Sequence, residues 1–167
     1  MTKQKQQEEL LKLIAQNERI IYKISNSYCS NKNDRKDLAQ EIIYNLLKSY
    51  HSFDHQYKFS TWMYRVSLNV AISFYRKNKT ADIISHETEF EDRPDEIIPP
   101  EPESNLNVLE TFINQLKELD KALMLLYLES KSYKEISEII GISETNVATK
   151  ISRIKTILKQ KFSNLNQ

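Results

Sequence analysis

The sequence predicts an all-α fold, with two small helical domains joined by an acidic, proline-containing linker and a helix-turn-helix in the C-terminal domain. Apolar residues recur every three or four positions through most of the 167 residues, which is the period of an amphipathic helix. The only glycine, Gly141, separates two such apolar stretches. All four prolines lie between residues 94 and 102, where core-forming residues are few. We therefore expect domains at residues 1–80 and 105–167 and a flexible linker at residues 81–104.

The distribution of charge indicates a polyanionic partner. The net charge is only +1, but residues 81–103 hold nine acids and one base, which leaves the rest of the chain at +9. Cys29 is the only cysteine, so an internal disulfide is excluded and a reducing compartment is expected. The chain has neither an apolar run as long as a membrane span nor a signal-peptide core. We expect a cytoplasmic, soluble protein without membrane insertion.

Residues 1–50 have the pattern of amphipathic helices interrupted by a polar turn. The turn, SNKND, occupies residues 30–34, and Asp34 is placed to cap a helix whose inner side carries Leu38, Ile42 and Leu46. The other side of this helix is polar and partly acidic, and solvation alone would explain such a face. It consists of Asp37, Gln40, Glu41 and Asn45.

A loop rich in rings, HSFDHQYKF at residues 51–59, precedes the next helix. Ser60 is placed to cap that helix, and Trp62 and Phe59 are candidates either for the core or for contact with a ligand. Cationic and polar residues lie mostly off the apolar stripe, at Lys58, Arg65, Asn69, Arg76 and Lys77. Single-stranded nucleic acid requires this combination, because unstacked bases need planar faces and the phosphate backbone needs cations.

The C-terminal domain is predicted to read duplex DNA. Two apolar helices from Ser104 onward would complete the core of a helix-turn-helix, in which Ser132 and Glu135 form a capping box and Ser143 caps the second helix. The second helix carries small or hydrogen-bonding side chains of the kind that fit a major groove, and no acid follows Glu144. The candidate contacts are Thr145, Asn146, Ala148, Thr149, Lys150, Ser152, Arg153 and Lys155.

In this order, these motifs resemble an extracytoplasmic-function (ECF) sigma factor, a small two-domain member of the bacterial sigma family that directs RNA polymerase to promoters. The resemblance runs from about residue 17 to Phe162. The stretch DLAQE, residues 37–41, is similar to the family's polymerase-binding helix, which implies that Asp37, Leu38, Gln40, Glu41 and Asn45 bind polymerase. The domain from Leu116 to Phe162 is similar to the one that binds the minus-thirty-five element as duplex.

The stretch FSTWMYR, residues 59–65, resembles the segment that melts and reads the minus-ten element. The resemblance implies that a flipped base enters a pocket built by residues 51–59. The implied minus-ten contacts are Lys58, Phe59, Ser60, Trp62, Arg65, Asn69, Arg76 and Lys77. It also implies core RNA polymerase, promoter DNA as duplex and melted strand, and an anti-sigma factor as partners, with no cofactor and no catalytic or metal-binding residue. The free chain is expected to be a monomer.

Three other classes of protein compete with this interpretation. A helix-turn-helix regulator that binds operator duplex without polymerase would explain residues 132–161, but not DLAQE or the ring-rich loop. An enzyme would need a site such as a metal cluster at His51, Asp54 and His55, whose spacing is short and which lacks further ligands. A helical interaction module without a nucleic-acid role would leave the acid-free C-terminal end unexplained.

Overall fold

The computed structural model of the protein describes residues 2–86 and 105–166, with side chains described at residues 2–79 and 105–166. Within these ranges the chain forms α-helices and one short 3-10 helix, and no strand. The all-α prediction is confirmed. Residues 87–104, which hold most of the predicted acidic linker, lie outside the described residues.

Four α-helices build the N-terminal half and four build the C-terminal half of the described chain. The first four are α1 (Lys3–Gln16), α2 (Glu18–Tyr28), α3 (Lys32–Ser49) and α4 (Phe59–His86), with the 3-10 helix Tyr50–Ser52 between α3 and α4. The others are α5 (Asn105–Asn114), α6 (Glu118–Leu128), α7 (Tyr133–Ile140) and α8 (Glu144–Leu165). Helix α4 therefore continues six residues beyond the point at which the linker was expected to begin.

Two of the predicted N-caps in the N-terminal half are wrong. Helix α3 is capped by Asn31, whose side chain accepts a hydrogen bond from the Asp34 amide at 2.8 Å, so Asp34 lies in the first turn. An acid in that turn is still favourable, because the helix dipole is positive there. Helix α4 begins at Phe59, one residue before Ser60, and its first turn is closed by the Trp62 amide donating to the Lys58 carbonyl at 3.3 Å.

The predicted boundaries of the helix-turn-helix are confirmed. The Ser132 hydroxyl accepts from the Glu135 amide and the Ser143 hydroxyl accepts from the Asn146 amide, each at 3.1 Å. Gly141 ends α7 with φ of +83°, in the left-handed region that glycine adopts without a steric penalty. The corner between α7 and α8 is therefore set by the residue types at these three positions.

Each half has its own buried apolar layer. In the N-terminal half, α2, α3 and α4 pack around side chains that include Leu38, Ile42 and Met63, all with 0% exposure. In the C-terminal half, α6, α7 and α8 enclose Leu123 and Ile136 among others. The period of three and four residues in the sequence places these side chains on the inner faces of their helices.

The two halves also pack against each other, and we call this packing the closed arrangement. Helix α4 contacts both α6 and α7. The Tyr28 hydroxyl donates to the Glu118 carbonyl at 2.7 Å, and Lys23 forms an ion pair with Glu129. The sequence predicted two domains on a flexible linker and did not predict this interface.

Lys121 is the central polar group of the closed arrangement. Its side chain is only 5% exposed, and its Nζ donates to the Ser27 carbonyl at 3.0 Å. The same ammonium lies 5.1 Å from the ring centre of Tyr28 and 5.5 Å from that of Tyr75, which are cation–π distances. Burial lowers the pKa of Lys121 and raises the pKa of Tyr28. The lysine therefore depends on these partners for its charge to be stable inside the interface.

Candidate nucleic-acid and polymerase interfaces

The predicted polymerase-binding residues lie on the outer face of α3. Asp37, Gln40 and Glu41 are exposed, whereas Asn45 is half-buried and its amide donates to the Glu41 carbonyl at 2.8 Å. The assignment of Leu38 to the polymerase contact needs correction. Leu38 is 0% exposed and packs in the core, so it cannot contact a partner directly in this arrangement. It supports the polar face from the inside of the helix.

Tyr44 belongs to this outer face and was missed in the sequence. It follows Gln40 by four positions and Glu41 by three, which puts the three side chains on one side of α3. Its side chain is 62% exposed, with the Lys48 ammonium 6.0 Å from the ring centre. An exposed aromatic ring beside carboxylate and amide groups is typical of a protein–protein contact.

The ring-rich loop folds into a compact aromatic cluster around Phe53. The Phe53 ring centre lies 6.1 Å from that of Tyr50, 4.6 Å from His55, 5.9 Å from Phe59 and 5.3 Å from Trp62. Trp62 is 8% exposed and Phe59 is half-buried, so both rings contribute to packing. The sequence left the roles of these two rings open, and the structure assigns both of them to one cluster that also lines the surface.

A small cavity opens beside this cluster. It has a volume of about 100 Å³, and its lining includes Phe53, Asp54, Tyr57, Trp62 and Arg65 from the N-terminal half, together with Glu138 from α7. Its rings and guanidinium are suited to a base and a phosphate. Glu138 brings a carboxylate of the C-terminal half to the same place. We call this site the ring-lined cavity.

The remaining minus-ten candidates are distributed along α4 and just before it. Lys58, Arg65, Asn69 and Lys77 are exposed, and Ser60 is half-buried in the first turn. Arg76 lies 4.0 Å from the Glu118 carboxylate of the C-terminal half. The closed arrangement thus engages one of the predicted DNA contacts with an acid of the other domain.

The predicted minus-thirty-five contacts lie on the outer side of α8. Its apolar stripe is buried against α6 and α7, which leaves most of the candidate side chains facing outward. Thr145, Asn146, Thr149, Ser152 and Arg153 are exposed, whereas Ala148, Lys150 and Lys155 are half-buried.

Lys155 has a partner within its own domain, as does Lys161 further along α8, whose Nζ donates to the Gln115 side chain at 2.9 Å. The Lys155 Nζ donates to the Tyr127 hydroxyl at 2.6 Å and lies 4.2 Å from the centre of that ring. This hydrogen bond raises the pKa of Lys155. To reach a phosphate, the Lys155 side chain would have to leave these contacts.

Two family descriptions match the chain, one in each half. Sigma-70 region 2 matches residues 13–81, and Sigma-70, region 4, matches residues 106–158. The chain belongs to the ECF group of the sigma-70 family. Sigma factors are initiation factors and not enzymes, and an ECF sigma factor acts with RNA polymerase in promoter-specific initiation of transcription.

Two relatives from Bacillus subtilis (strain 168) are similar to this ECF sigma factor over most of their length. ECF RNA polymerase sigma factor SigW is 28% identical over 157 residues, covering 87% of this chain and 84% of the relative. ECF RNA polymerase sigma factor SigM is 29% identical over 154 residues, covering 86% and 88%.

A solved structure has the same fold. The sigma factor RpoE in its complex with the anti-sigma factor NepR from Bartonella quintana superimposes with a TM-score of 0.65 at 21% identity, covering 97% of this chain and 98% of that one. Among the described residues, no helix of this sigma factor is long and apolar enough to cross a membrane. The same residues contain no cluster of three or more His, Cys, Asp or Glu side chains arranged to hold a metal ion.

Proposed function

We propose that this ECF sigma factor binds core RNA polymerase through α3, captures melted promoter strand with α4 and the ring-rich loop, and reads duplex with α8. The observation that carries the proposal is the aromatic cluster around Phe53 with Arg65 at its edge, because a protein that reads duplex alone has no need of it. The chain performs no chemistry itself. It supplies promoter specificity to the polymerase.

The polymerase contact is proposed for the polar face of α3. Asp37, Gln40 and Glu41 point outward from a helix whose inner side is fully buried, so their positions are fixed by the core. Tyr44 adds a large ring to the same face. Such a combination of a rigid aromatic anchor and surrounding polar groups is typical of interaction hot spots.

Strand capture requires the two halves to separate. The ring-lined cavity of about 100 Å³ is smaller than the roughly 300–1,000 Å³ of pockets that hold a small organic ligand, so it has no room for a nucleotide in the closed arrangement. Glu138 would also repel a phosphate there, in addition to Asp54, which belongs to the N-terminal half. Moving the C-terminal half away would enlarge the cavity, remove the Glu138 carboxylate and break the ion pair between Arg76 and Glu118.

Duplex recognition is proposed for the first three turns of α8. Thr145, Asn146 and Thr149 are exposed near the helix N-terminus, where the Ser143 cap fixes the helix, and Arg153 follows on the exposed side. In helix-turn-helix proteins the N-terminal residues of the second helix contact base edges. Arg153, the exposed cation within these three turns, would contact a phosphate, so binding should weaken as salt rises.

The chain is proposed to be a cytoplasmic monomer that an anti-sigma factor controls when polymerase is not bound. The solved relative RpoE was crystallised with such a partner, NepR. The closed arrangement supports control by sequestration, since a partner that holds the two halves together would keep the ring-lined cavity small. The acidic stretch that follows α4 is proposed to form a tether that lets the halves bind DNA separately and gain from effective concentration.

In vitro transcription tests the proposal directly. Purified chain and core polymerase are incubated with genomic fragments of the encoding organism, and transcript start sites are mapped. We expect starts at a defined set of upstream regions only when both components are present. Tight operator binding by the chain alone, with no polymerase-dependent starts, would instead establish a conventional regulator.

Two variants then separate the DNA-reading steps. Arg153→Ala should reduce the salt slope of holoenzyme binding to duplex by about 0.9, the contribution of one phosphate contact, whereas Lys159→Ala, later on the same helix, should not. Arg65→Ala should leave duplex binding unchanged and lower permanganate reactivity of the melted region. If Arg65→Ala opened promoters as well as the unaltered chain, the assignment of strand capture to this cavity would be wrong.

A further inference from the structure

A second and larger cavity lies on the other side of the aromatic cluster. It has a volume of about 720 Å³ and is enclosed by the start of α1, the end of α3 and the loop after it. That volume falls within the roughly 300–1,000 Å³ of pockets that hold a small organic ligand. The N-terminal part of α1 that forms one wall precedes residue 13, where the match to Sigma-70 region 2 begins.

The charges around this cavity have a single sign. Lys3 on α1 and Lys48 on α3 line it from two sides, with His51 and His55 on the loop, and no acid is among the lining residues that the structure describes. Gln6 and Gln7 add amide groups, which can donate to phosphate oxygens or to base edges. Cations, amides and rings together are the groups that bind single-stranded nucleic acid.

The Phe53 ring joins this cavity to the ring-lined cavity. It lines both of them, with Trp62 on one side and His55, 4.6 Å away, on the other. A strand that places one base against Trp62 therefore passes the Phe53 ring before its next nucleotide reaches Lys3 and Lys48. The start of α1 contributes Lys3, Gln6 and Gln7 to the lining of the larger cavity.

We propose that the cavity between α1 and the loop binds the nucleotide adjacent to the captured base on the melted DNA strand. This inference rests on the proposed strand capture and extends it to α1. Lys3 and Lys48 contact the phosphates, and the Gln6 and Gln7 amides contact the base or sugar. Among the described residues, none from the C-terminal half lines this cavity, so the closed arrangement of the two halves leaves it open.

The free full-length chain can therefore be tested with a sequence-neutral probe. A fluorescein-labelled oligo-dT of about twenty nucleotides exceeds the 4–16-nucleotide site of a single-strand-binding fold, and its anisotropy reports binding across a salt series. For a single strand, each phosphate contact contributes about 0.7 to the slope of log affinity against log salt concentration. Loss of one contact should therefore lower the affinity about fivefold at 0.1 M salt. The double variant Lys3→Gln with Lys48→Gln should bind about 25-fold more weakly, with a slope lower by about 1.4.

The matched control is Lys5→Gln with Lys36→Gln. It removes the same charge from exposed positions on the same two helices, outside the cavity, and should lower affinity by less than about twofold. Equal weakening by both double variants would overturn the inference, because net charge alone would then explain the loss. Unchanged binding by the cavity variant would overturn it as well.

The same variants in holoenzyme separate this inference from the proposed function. On a promoter found by start-site mapping, the cavity variant should form fewer open complexes than the control variant while binding duplex equally. If the unaltered holoenzyme opened no promoter, the proposed function would fail. If it opened promoters and the cavity variant did so equally well, only the role of α1 would fail.

Discussion

Replacing Lys121 by alanine should open the closed arrangement. The substitution removes an ammonium that donates to the Ser27 carbonyl and lies over the rings of Tyr28 and Tyr75. A hydrogen bond from a charged donor contributes about 1.5–3 kcal/mol. A desolvated cation–π contact contributes about 2 kcal/mol. The cost of burying the ammonium, which is evident in the lowered pKa of Lys121, offsets part of this sum.

We expect the net loss to be about 2–3 kcal/mol, because the substitution also leaves the Ser27 carbonyl without its donor. Such a loss changes the ratio of closed to open molecules by about 30- to 150-fold. Single-molecule energy transfer between one dye on α1 and one on α8 measures that ratio directly, in a Cys29→Ser background. The control is Lys117→Ala, which removes an exposed lysine four residues before Lys121. The reasoning would be refuted by an unchanged ratio in Lys121→Ala, or by an equal change in the control.

Further outcomes at three residues concern stability and reactivity. Gly141→Ala should lower the free energy of unfolding by about 1 kcal/mol, seen as a melting temperature lower by about 2–4 °C, because φ is +83° there although no atom lies within 4 Å of an added Cβ. Burial raises the pKa of the Cys29 thiol from 9.0 to about 11, so its alkylation at pH 8 should be about 100-fold slower than that of a free thiol. The folded state thus binds the Cys29 proton more tightly than the unfolded state. In denaturant titrations, the resulting contribution to the free energy of unfolding should be fully present below pH 9 and should be lost as the pH rises from 9 to about 11. Ser67→Ala should leave stability unchanged or raise it by about 1 kcal/mol, because the buried Ser67 hydroxyl has no hydrogen-bond partner within the described ranges; a clear loss of stability would show that the hydroxyl is bonded.

Local features of this fold were predictable because they depend on a few neighbouring residues. Gly141 and the caps at Ser132 and Ser143 mark the helix-turn-helix, since a left-handed corner and an unpaired amide each need a particular residue type. The caps of α3 and α4 were predicted at the wrong residues. Several polar side chains compete at the start of α3, and α4 follows Lys58, whose ammonium has no acceptor for a helix amide.

The packing of one half on the other was not predictable by the same means. From sequence alone, a lysine such as Lys121 is predicted to lie on the surface. Burial of its charge becomes favourable only when rings and a carbonyl from other helices surround it. Glu138 would likewise be predicted from the sequence to be a solvated residue of a short helix. Its position beside the ring-lined cavity depends on contacts between residues far apart in the chain. Tyr44 was identifiable in principle, since its spacing from Gln40 and Glu41 puts an aromatic ring on a polar face.

Under the proposed strand capture, the carboxylate of Glu138 couples the arrangement of the two halves to occupancy of the ring-lined cavity. While Glu138 borders that cavity, a flipped base has no room there, so the C-terminal half must move away before the base can enter. A free molecule in the closed arrangement would therefore hold single strand only at the cavity beside α1, and full capture would require separation of the halves.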